Sequence, residues 1–168
     1  MHGSEDALAA LPCKQVANRP QARVLIGGLG MGFTLASALQ HLGADAEVAV
    51  AELVPGVVEW NRGPLGAKSG YPLNDPRTRI LQEDVAKVLQ ASSQAYDAIM
   101  LDVDNGPEGL TQKGNDWLYS MEGLRQCAKA LRPKGMLAVW SSSADRAFSD
   151  KVRKAGFKGE AVQVYAHG

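Results

Sequence analysis

The chain has few of the residues that mark specialised classes of protein. Only 6% of its 168 residues are aromatic, and only two are cysteines. Two cysteines, Cys13 and Cys127, cannot build a disulfide framework or, by themselves, a zinc site. We expect both to be reduced and buried. We expect no metal site, because His2, His41 and His167 are not grouped with cysteines or acids at metal-ligand spacing.

An excess of charge of either sign is also missing. Lysine and arginine together number 18, as do aspartate and glutamate, so the formal net charge is zero. This balance disfavours a dedicated nucleic-acid binder, whose affinity depends on neutralising phosphates. No apolar run approaches the ~18 residues that a membrane span needs, and residues 1–20 lack the apolar region of a signal peptide. These absences predict a soluble, cytoplasmic protein without a membrane or nucleic-acid partner.

The remaining composition is that of an ordinary globular protein of single-domain length, with 45% hydrophobic residues. Short β-prone runs alternate with helical patterns along most of the chain. This alternation predicts an α/β fold, in which a Rossmann-like, doubly wound, mostly parallel sheet carries helices on both faces. We assign residues 21–168 to this domain and residues 1–20 to an N-terminal junction segment.

The hydrophobic pattern gives the bounds of the predicted elements. Six strands are expected, at 23–26, 47–51, 78–81, 96–103, 136–140 and 157–165. Five helices are expected, at 33–42, 55–60, 84–90, 117–131 and 144–155. Residues 61–77 contain six glycines and prolines and are expected to form a loop. In a sheet of this kind the ligand lies outside the carboxyl ends of the strands.

A glycine-rich turn joins the first predicted strand to the first predicted helix. Gly28, Gly30 and Gly32 form a G-x-G-x-G pattern at this turn. Glycine lets the backbone approach a ligand closely, and the N-terminus of the next helix offers free N–H donors. The dinucleotide pattern G-x-G-x-x-G is broken by Phe33, whereas G-x-G-x-G resembles the form in S-adenosylmethionine-dependent transferases. A tight turn that binds nothing is the structural alternative.

Acidic residues follow the second and third predicted strands. Glu52 comes 20 residues after Gly32 and could accept both hydroxyls of a ribose. The alternative is a solvated acid at the end of a strand. Asp84 could accept the amino group of an adenine, and it could also cap the next helix. The two roles of Asp84 are compatible with each other.

Two more acids, Asp102 and Asp104, follow the fourth predicted strand. Like charges this close raise the pKa of each other, which makes the pair unfavourable as pure structure and favours a functional site. For Asp104 the alternative is an Asx turn before Gly106.

Residues 23–155 resemble the catalytic domain of the spermidine synthase family, a branch of the class I S-adenosylmethionine transferase (methyltransferase-type) fold. The order and spacing of several segments carry the resemblance, which covers about four-fifths of the chain. These segments are 24–32, 52–58, 75–77, 83–85, 96–102, 106–107, 118–124 and 131–135.

The resemblance implies a role for each acid. Glu52 matches the ribose-binding acid, and Asp84 with Val85 matches the adenine side of the cofactor pocket. Asp102 matches the acid that takes a proton from the attacking amine, with Asp104 beside it. The resemblance further implies that S-adenosylmethionine or its decarboxylated form is bound without a metal. The implied acceptor of the aminopropyl group is a small-molecule amine, a polyamine.

Two positions expected to line the substrate pocket differ from the family pattern. The family's glycine loop carries an aspartate where this chain has Met31, and its fifth strand carries a glutamine where this chain has Trp140. Two alternatives therefore stand beside aminopropyl transfer: S-adenosylmethionine-dependent methyl transfer, and a non-catalytic module for nucleoside binding or dimerisation. We also expect a homodimer, which would cover the open edge of the sixth strand or the face where the family's N-terminal β-domain would sit.

Overall fold

The structure is a computed structural model that describes residues 3–101, 117–139 and 146–158. The strands in these ranges are β1 Arg23–Gly27, β2 Glu47–Ala51, β3 Thr78–Leu81, β4 Tyr96–Leu101 and β5 Leu131–Val139. The helices are α1 Gly3–Val16, α2 Phe33–His41, α3 Pro55–Arg62, α4 Gly66–Ser69, α5 Val85–Gln90, α6 Met121–Ala130 and α7 Arg146–Lys154. A 3₁₀ turn spans Pro72–Asn74.

The five strands form one parallel sheet in the order β3-β2-β1-β4-β5. Gly27, at the end of β1, lies opposite Ala51 of β2 and Leu101 of β4. The strand order reverses between β1 and β4, and ligands of such sheets bind outside the carboxyl ends at that point. The predicted α/β, Rossmann-like architecture is therefore confirmed. Most of the sixth predicted strand lies outside the described residues.

Helices cover both faces of the sheet. One face packs against α1, α2 and α3, and its buried residues include Ile26, Val50 and Met100. The opposite face packs against α5 and α6, with Leu25 and Ile99 among its buried residues. All six residues of β4 are buried, as expected for a central parallel strand covered on both sides. No helix in the described ranges is long and apolar enough to cross a membrane.

The helix α1 lies in the segment for which the sequence pattern predicts no helix. Its side chains Leu8, Cys13 and Val16 are buried and belong to the same core cluster as α2. Pro12 lies inside the helix and removes one of its backbone hydrogen bonds, which weakens the sequence signal. Burial against the sheet therefore stabilises a helix that local propensity does not indicate.

The segment 61–77, expected to be a loop, contains α4 and the 3₁₀ turn. A Cβ on Gly66 would come within 2.5 Å of the ring of Tyr71, and Gly70 ends α4 with φ of 79°. These glycines serve close packing and a helix end. Their density therefore does not indicate an irregular chain, and the loop prediction is wrong for this part.

The element bounds around β5 also differ from the predicted ones. The helix α6 begins only at Met121, because Ser120 caps it by accepting a hydrogen bond from the Gly123 amide at 3.1 Å. The strand β5 already begins at Leu131, which pairs with Tyr96 before an irregularity in the ladder. The hydrophobic pattern marks only the second, regular part of this strand.

A buried carboxylate of β4 bonds to residues of β1 and β5 near the amino-terminal ends of the strands. Asp97 is 3% exposed and accepts hydrogen bonds from Arg19 Nη1 at 2.9 Å, Arg132 Nη1 at 3.1 Å and the Arg23 amide at 2.9 Å. Burial by itself raises the pKa of Asp97, but the Arg23 amide and the two guanidinium groups outweigh it and hold the pKa below its ordinary value. This cluster lies at the end of the strands opposite the expected ligand site.

Candidate functional site

The glycine-rich turn has the backbone conformation that only glycine adopts readily. Gly28, Gly30 and Gly32 have φ values of 97°, 51° and 84°. The Gly28 amide donates to the Ala51 carbonyl of β2 at 2.9 Å, and the Gly32 amide donates to the Leu29 carbonyl at 2.9 Å. The turn is thus fixed to β2 at its start and closed on itself before α2.

The apex of this turn and its last glycine differ in their surroundings. A Cβ on Gly32 would come 2.9 Å from Asn61 Oδ1 and 3.0 Å from Ser69 Oγ, so the chain passes very close to α3 and α4 here. A Cβ on Gly30 would meet no atom within 4 Å, and the next side chain, Met31, is 43% exposed. The apex of the turn is therefore open to a ligand. The amides of Gly30 and Met31 donate a hydrogen bond to no acceptor among the described residues.

Glu52 directly contacts the glycine-rich turn. Its Oε1 accepts a hydrogen bond from the Leu29 amide at 3.1 Å, and its Oε2 accepts one from the Val54 amide at 3.2 Å. The pairing of Gly27 with Ala51 brings the ends of β1 and β2 side by side and places the acid at this position. The side chain is half-buried, and each carboxylate oxygen can accept a second hydrogen bond. Glu52 can therefore still receive the hydroxyl groups of a ligand.

Asp84 lies at the end of β3 and caps α5. Its Oδ1 accepts a hydrogen bond from the Ala86 amide at 2.9 Å. The neighbouring Val85 is buried, and its Cγ2 lies 3.1 Å from where a Cβ on Gly27 would be. The capping role that the sequence allowed for Asp84 is therefore present. Val85, the first residue of α5, packs against the end of β1.

Three candidate residues, Asp102, Asp104 and Trp140, lie outside the described residues. The backbone nonetheless brings the residues just before them together, because Leu101 pairs with Val139. Leu101 also lies opposite Gly27, where the glycine-rich turn begins. The structure thus brings Glu52, Asp84 and the three glycines to one edge of the sheet, at which β4 and β5 also end.

Sequence reasoning missed one residue of this region, Asn61 of α3. The side chain is fully buried, and its Nδ2 donates to the Gly30 carbonyl and to the Val57 carbonyl, each at 2.8 Å. A signal was available, because Asn61 follows the apolar Val58 by three residues and so falls on the buried side of the helix. The contact with Gly30 spans 31 positions of the chain and needed the structure.

The described part of the crevice offers hydrogen-bonding groups of both kinds. Carboxylate oxygens follow β2 and β3, and free backbone amides lie at the apex of the turn after β1. Groups of three or more histidine, cysteine or acidic side chains that could hold a metal ion do not occur in the ranges described. This arrangement suits a ligand that carries hydroxyl groups and a polar tail.

Together, the strand order, the glycine-rich turn after β1 and the acid after β2 define a Rossmann-like α/β protein of the class I transferase type. A sequence model described as "Spermine/spermidine synthase domain" matches residues 1–149. The chain therefore belongs to the spermine/spermidine synthase family.

Individual relatives agree with this assignment. Polyamine aminopropyltransferase 1 of Streptomyces coelicolor is 32% identical over 126 residues, which are 74% of this chain and 23% of that protein. Polyamine aminopropyltransferase 2 of the same organism is 34% identical over 157 residues, 88% of this chain and 27% of that protein. The chain spans about a quarter of the length of these two relatives.

A solved structure shows the same fold. Spermidine synthase from Thermotoga maritima superposes with a TM-score of 0.73 at 21% sequence identity. The match covers 91% of this chain and 50% of the Thermotoga chain. The architecture described above is therefore that of half of a solved spermidine synthase chain.

Proposed function

We propose that this chain is the nucleoside-binding domain of an aminopropyltransferase. It binds decarboxylated S-adenosylmethionine, or S-adenosylmethionine itself, and its acceptor is the amine of a polyamine. The observation that most supports this proposal is the contact of the Glu52 carboxylate with the glycine-rich turn at the ends of β1 and β2. The names of the two Streptomyces relatives, polyamine aminopropyltransferases, support the reaction class.

In this proposal the described residues hold the nucleoside end of the donor. Glu52 accepts hydrogen bonds from the ribose hydroxyls with the lone pairs that Leu29 and Val54 leave free. Asp84 binds the adenine amino group with the oxygen that does not cap α5, and Val85 contacts the base. The free amides at the apex of the turn point to the tail of the donor.

The reaction itself is a direct displacement. The lone pair of the acceptor amine forms a carbon–nitrogen bond to the aminopropyl group as the carbon–sulfur bond breaks. The electron pair of the broken bond stays on sulfur, so the sulfonium leaves as a neutral thioether. An ammonium has no lone pair, so a base must take its proton, and we assign this task to Asp102 with Asp104 beside it. Positioning of the two reactants supplies most of the remaining rate enhancement.

Methyl transfer is the second candidate, and Met31 favours it. This side chain is 43% exposed at the apex of the glycine-rich turn and carries no charge that would attract a cationic amine. We place Met31 and Trp140 on the acceptor side of the pocket, where an apolar acceptor would fit them better than a polyamine.

Calorimetry and a turnover assay test the proposal together. The chain should bind S-adenosylmethionine or its decarboxylated form, and it should transfer the aminopropyl group of the latter to putrescine. The variant Asp102→Asn should keep donor binding and lose about 10²–10⁴-fold in turnover. The matched control is Asp45→Asn, because Asp45 is an exposed acid that binds the Gln21 amide before β2 begins.

Each other result points to one of the alternatives. Methylation of an acceptor by S-adenosylmethionine, without aminopropyl transfer, would establish the methyltransferase. Nucleoside binding without any turnover would make the chain a non-catalytic module. Absence of nucleoside binding would contradict both transferase functions and the nucleoside-binding module, and would leave only a dimerisation module.

We also propose that residues 21–168 form this domain, that residues 1–20 are its junction segment, and that the chain is a homodimer. Large apolar side chains that are 42–62% exposed support an interface. Among the described residues these are Leu11, Leu53, Trp60 and Tyr71, besides Met31 at the apex of the glycine-rich turn. Light scattering at tens of micromolar should give twice the mass of the chain, and a monomeric mass would contradict the homodimer.

A further inference from the structure

The orientation of the Asn61 amide is determined by its two neighbours. Both groups within reach of the nitrogen, the Gly30 and Val57 carbonyls, are acceptors only. The amide nitrogen must therefore face them, because the side-chain oxygen has no hydrogen to donate. Both hydrogens of Nδ2 are used in this arrangement.

This orientation leaves the oxygen of the same amide without a partner in the described part of the chain. Asn61 Oδ1 is buried and has no hydrogen-bond partner among the described residues. It faces the backbone of Gly32, where a Cβ would come within 2.9 Å of it. A buried acceptor without a partner is unfavourable, and an apolar side chain of the same size would avoid that loss. Packing alone therefore does not account for an asparagine at this position.

The bond to Gly30 has a direct consequence for the site. The Gly30–Met31 peptide is trans, so its C=O and N–H groups point in opposite directions. With the Gly30 carbonyl held against Asn61, the Met31 amide points away from α3. The Met31 amide, like the Gly30 amide, has no acceptor among the described residues. It lies at the open apex of the turn.

We propose that Asn61 is a positioning residue, which holds the Gly30–Met31 peptide so that its N–H faces the bound donor. This inference rests on the proposed nucleoside binding at the glycine-rich turn. Asn61 touches no ligand itself. It acts through the Gly30 carbonyl and sets the direction of the Met31 amide before a ligand arrives.

Two substitutions separate this role from a structural one. Asn61→Leu keeps the branched shape of the side chain, with somewhat more volume, and removes both donors together with the unpartnered oxygen. Asn61→Ser is small, and a serine in a helix donates to the carbonyl four residues before it, here Val57, which leaves Gly30 without its partner. The matched control is Ser37→Ala, because Ser37 is a buried polar residue of α2 that bonds the Asp6 carbonyl instead of the turn.

Calorimetry with S-adenosylmethionine and with its decarboxylated form gives the first measurement. Both Asn61 variants should bind about tenfold more weakly than the unaltered chain, because one neutral hydrogen bond is lost from the loop. The melting temperature of Asn61→Leu should stay within a few degrees of the original value. Ser37→Ala should keep its affinity.

Hydrogen exchange without ligand gives the second measurement. Exchange within residues 28–32 should be faster in both Asn61 variants, and unchanged in Ser37→Ala. Faster exchange in a chain that binds no nucleoside would support the loop contact while the proposed function fails. Unchanged affinity and unchanged exchange in Asn61→Leu would overturn the inference, as would loss of folding in both variants, which would make Asn61 a structural residue.

Discussion

Glu52 Oε1 accepts a hydrogen bond from the Leu29 amide at 3.1 Å, so the acid that follows β2 holds the turn that follows β1. The proposed ribose acceptor therefore has a structural partner before any ligand binds. A carboxylate that is already oriented loses less side-chain freedom on binding. The contact explains why a charged side chain can stay half-buried at this edge of the sheet.

Glu52→Ala should weaken nucleoside binding by at least tenfold. Each hydrogen bond to a charged group contributes about 1.5–3 kcal/mol, and the turn also loses its contact at Leu29. Calorimetry with S-adenosylmethionine measures the change. Glu47→Ala is the matched control. Glu47 is the first residue of β2, at the end of the strand away from Glu52, and it pairs with Arg23 and Arg79. Equal affinity in Glu52→Ala and the unaltered chain would show that Glu52 binds no ribose.

Asp97→Asn should destabilise the fold without affecting the ligand site. Removing one partner of a buried ion pair costs about 3–5 kcal/mol. Arg19 and Arg132 are 29% and 36% exposed and can be hydrated, so we expect the lower end, about 3 kcal/mol. Urea denaturation measures the change. Asp150→Asn, which removes the exposed pair with Arg153, should change the stability by less than ~1 kcal/mol.

The contribution of Asp97 should also depend on pH in a defined direction. Its pKa is lowered in the folded state, so the unfolded chain takes up the proton first as the pH falls. The stabilisation is fully present above the unfolded pKa of about 4 and is lost as the pH falls through the folded value. The difference in unfolding free energy between the unaltered chain and Asp97→Asn should therefore narrow below about pH 4. A constant difference down to pH 2 would be inconsistent with this assignment.

Both thiols should be unreactive in the folded protein. Cys13 and Cys127 are buried on opposite faces of the sheet, and burial raises the pKa of each thiol to about 12. The thiolate is the reactive form, and it is nearly absent at pH 8. A thiol reagent at that pH should label neither residue until denaturant is added. Prompt labelling of one cysteine would show that its helix opens readily.

Local patterns were sufficient for β2 and for its neighbour β3 at the edge of the sheet. The observed bounds of β2 and β3 coincide with the predicted ranges. Both are short β-prone runs followed by polar residues, and they pair with each other in a regular parallel register. The ends of these two strands, after which Glu52 and Asp84 follow, could therefore be predicted from the sequence.

Contacts between distant parts of the chain could not be predicted in the same way. Helix α1 is stabilised by burial beside α2 and contains Pro12, so its own sequence gives a weak signal. The bond between Asn61 and Gly30 depends on how α3 packs beside the glycine-rich turn. The cap that Asp84 forms on α5 could be foreseen as the structural alternative to adenine binding, because capping is a local interaction, whereas its binding of an adenine stays a prediction.

The ion pairs of Asp97 also bear on the order in which the chain folds. Asp97 lies 78 positions from Arg19 and 35 positions from Arg132, so we expect its contacts to form late, after β4 has docked between β1 and β5. Interactions made after the transition state slow unfolding and leave the folding rate nearly unchanged. The ion pairs of Asp97, at the ends of the strands away from the ligand site, would then determine how long the native state lasts before it unfolds. In stopped-flow experiments Asp97→Asn should unfold faster and fold at nearly the original rate.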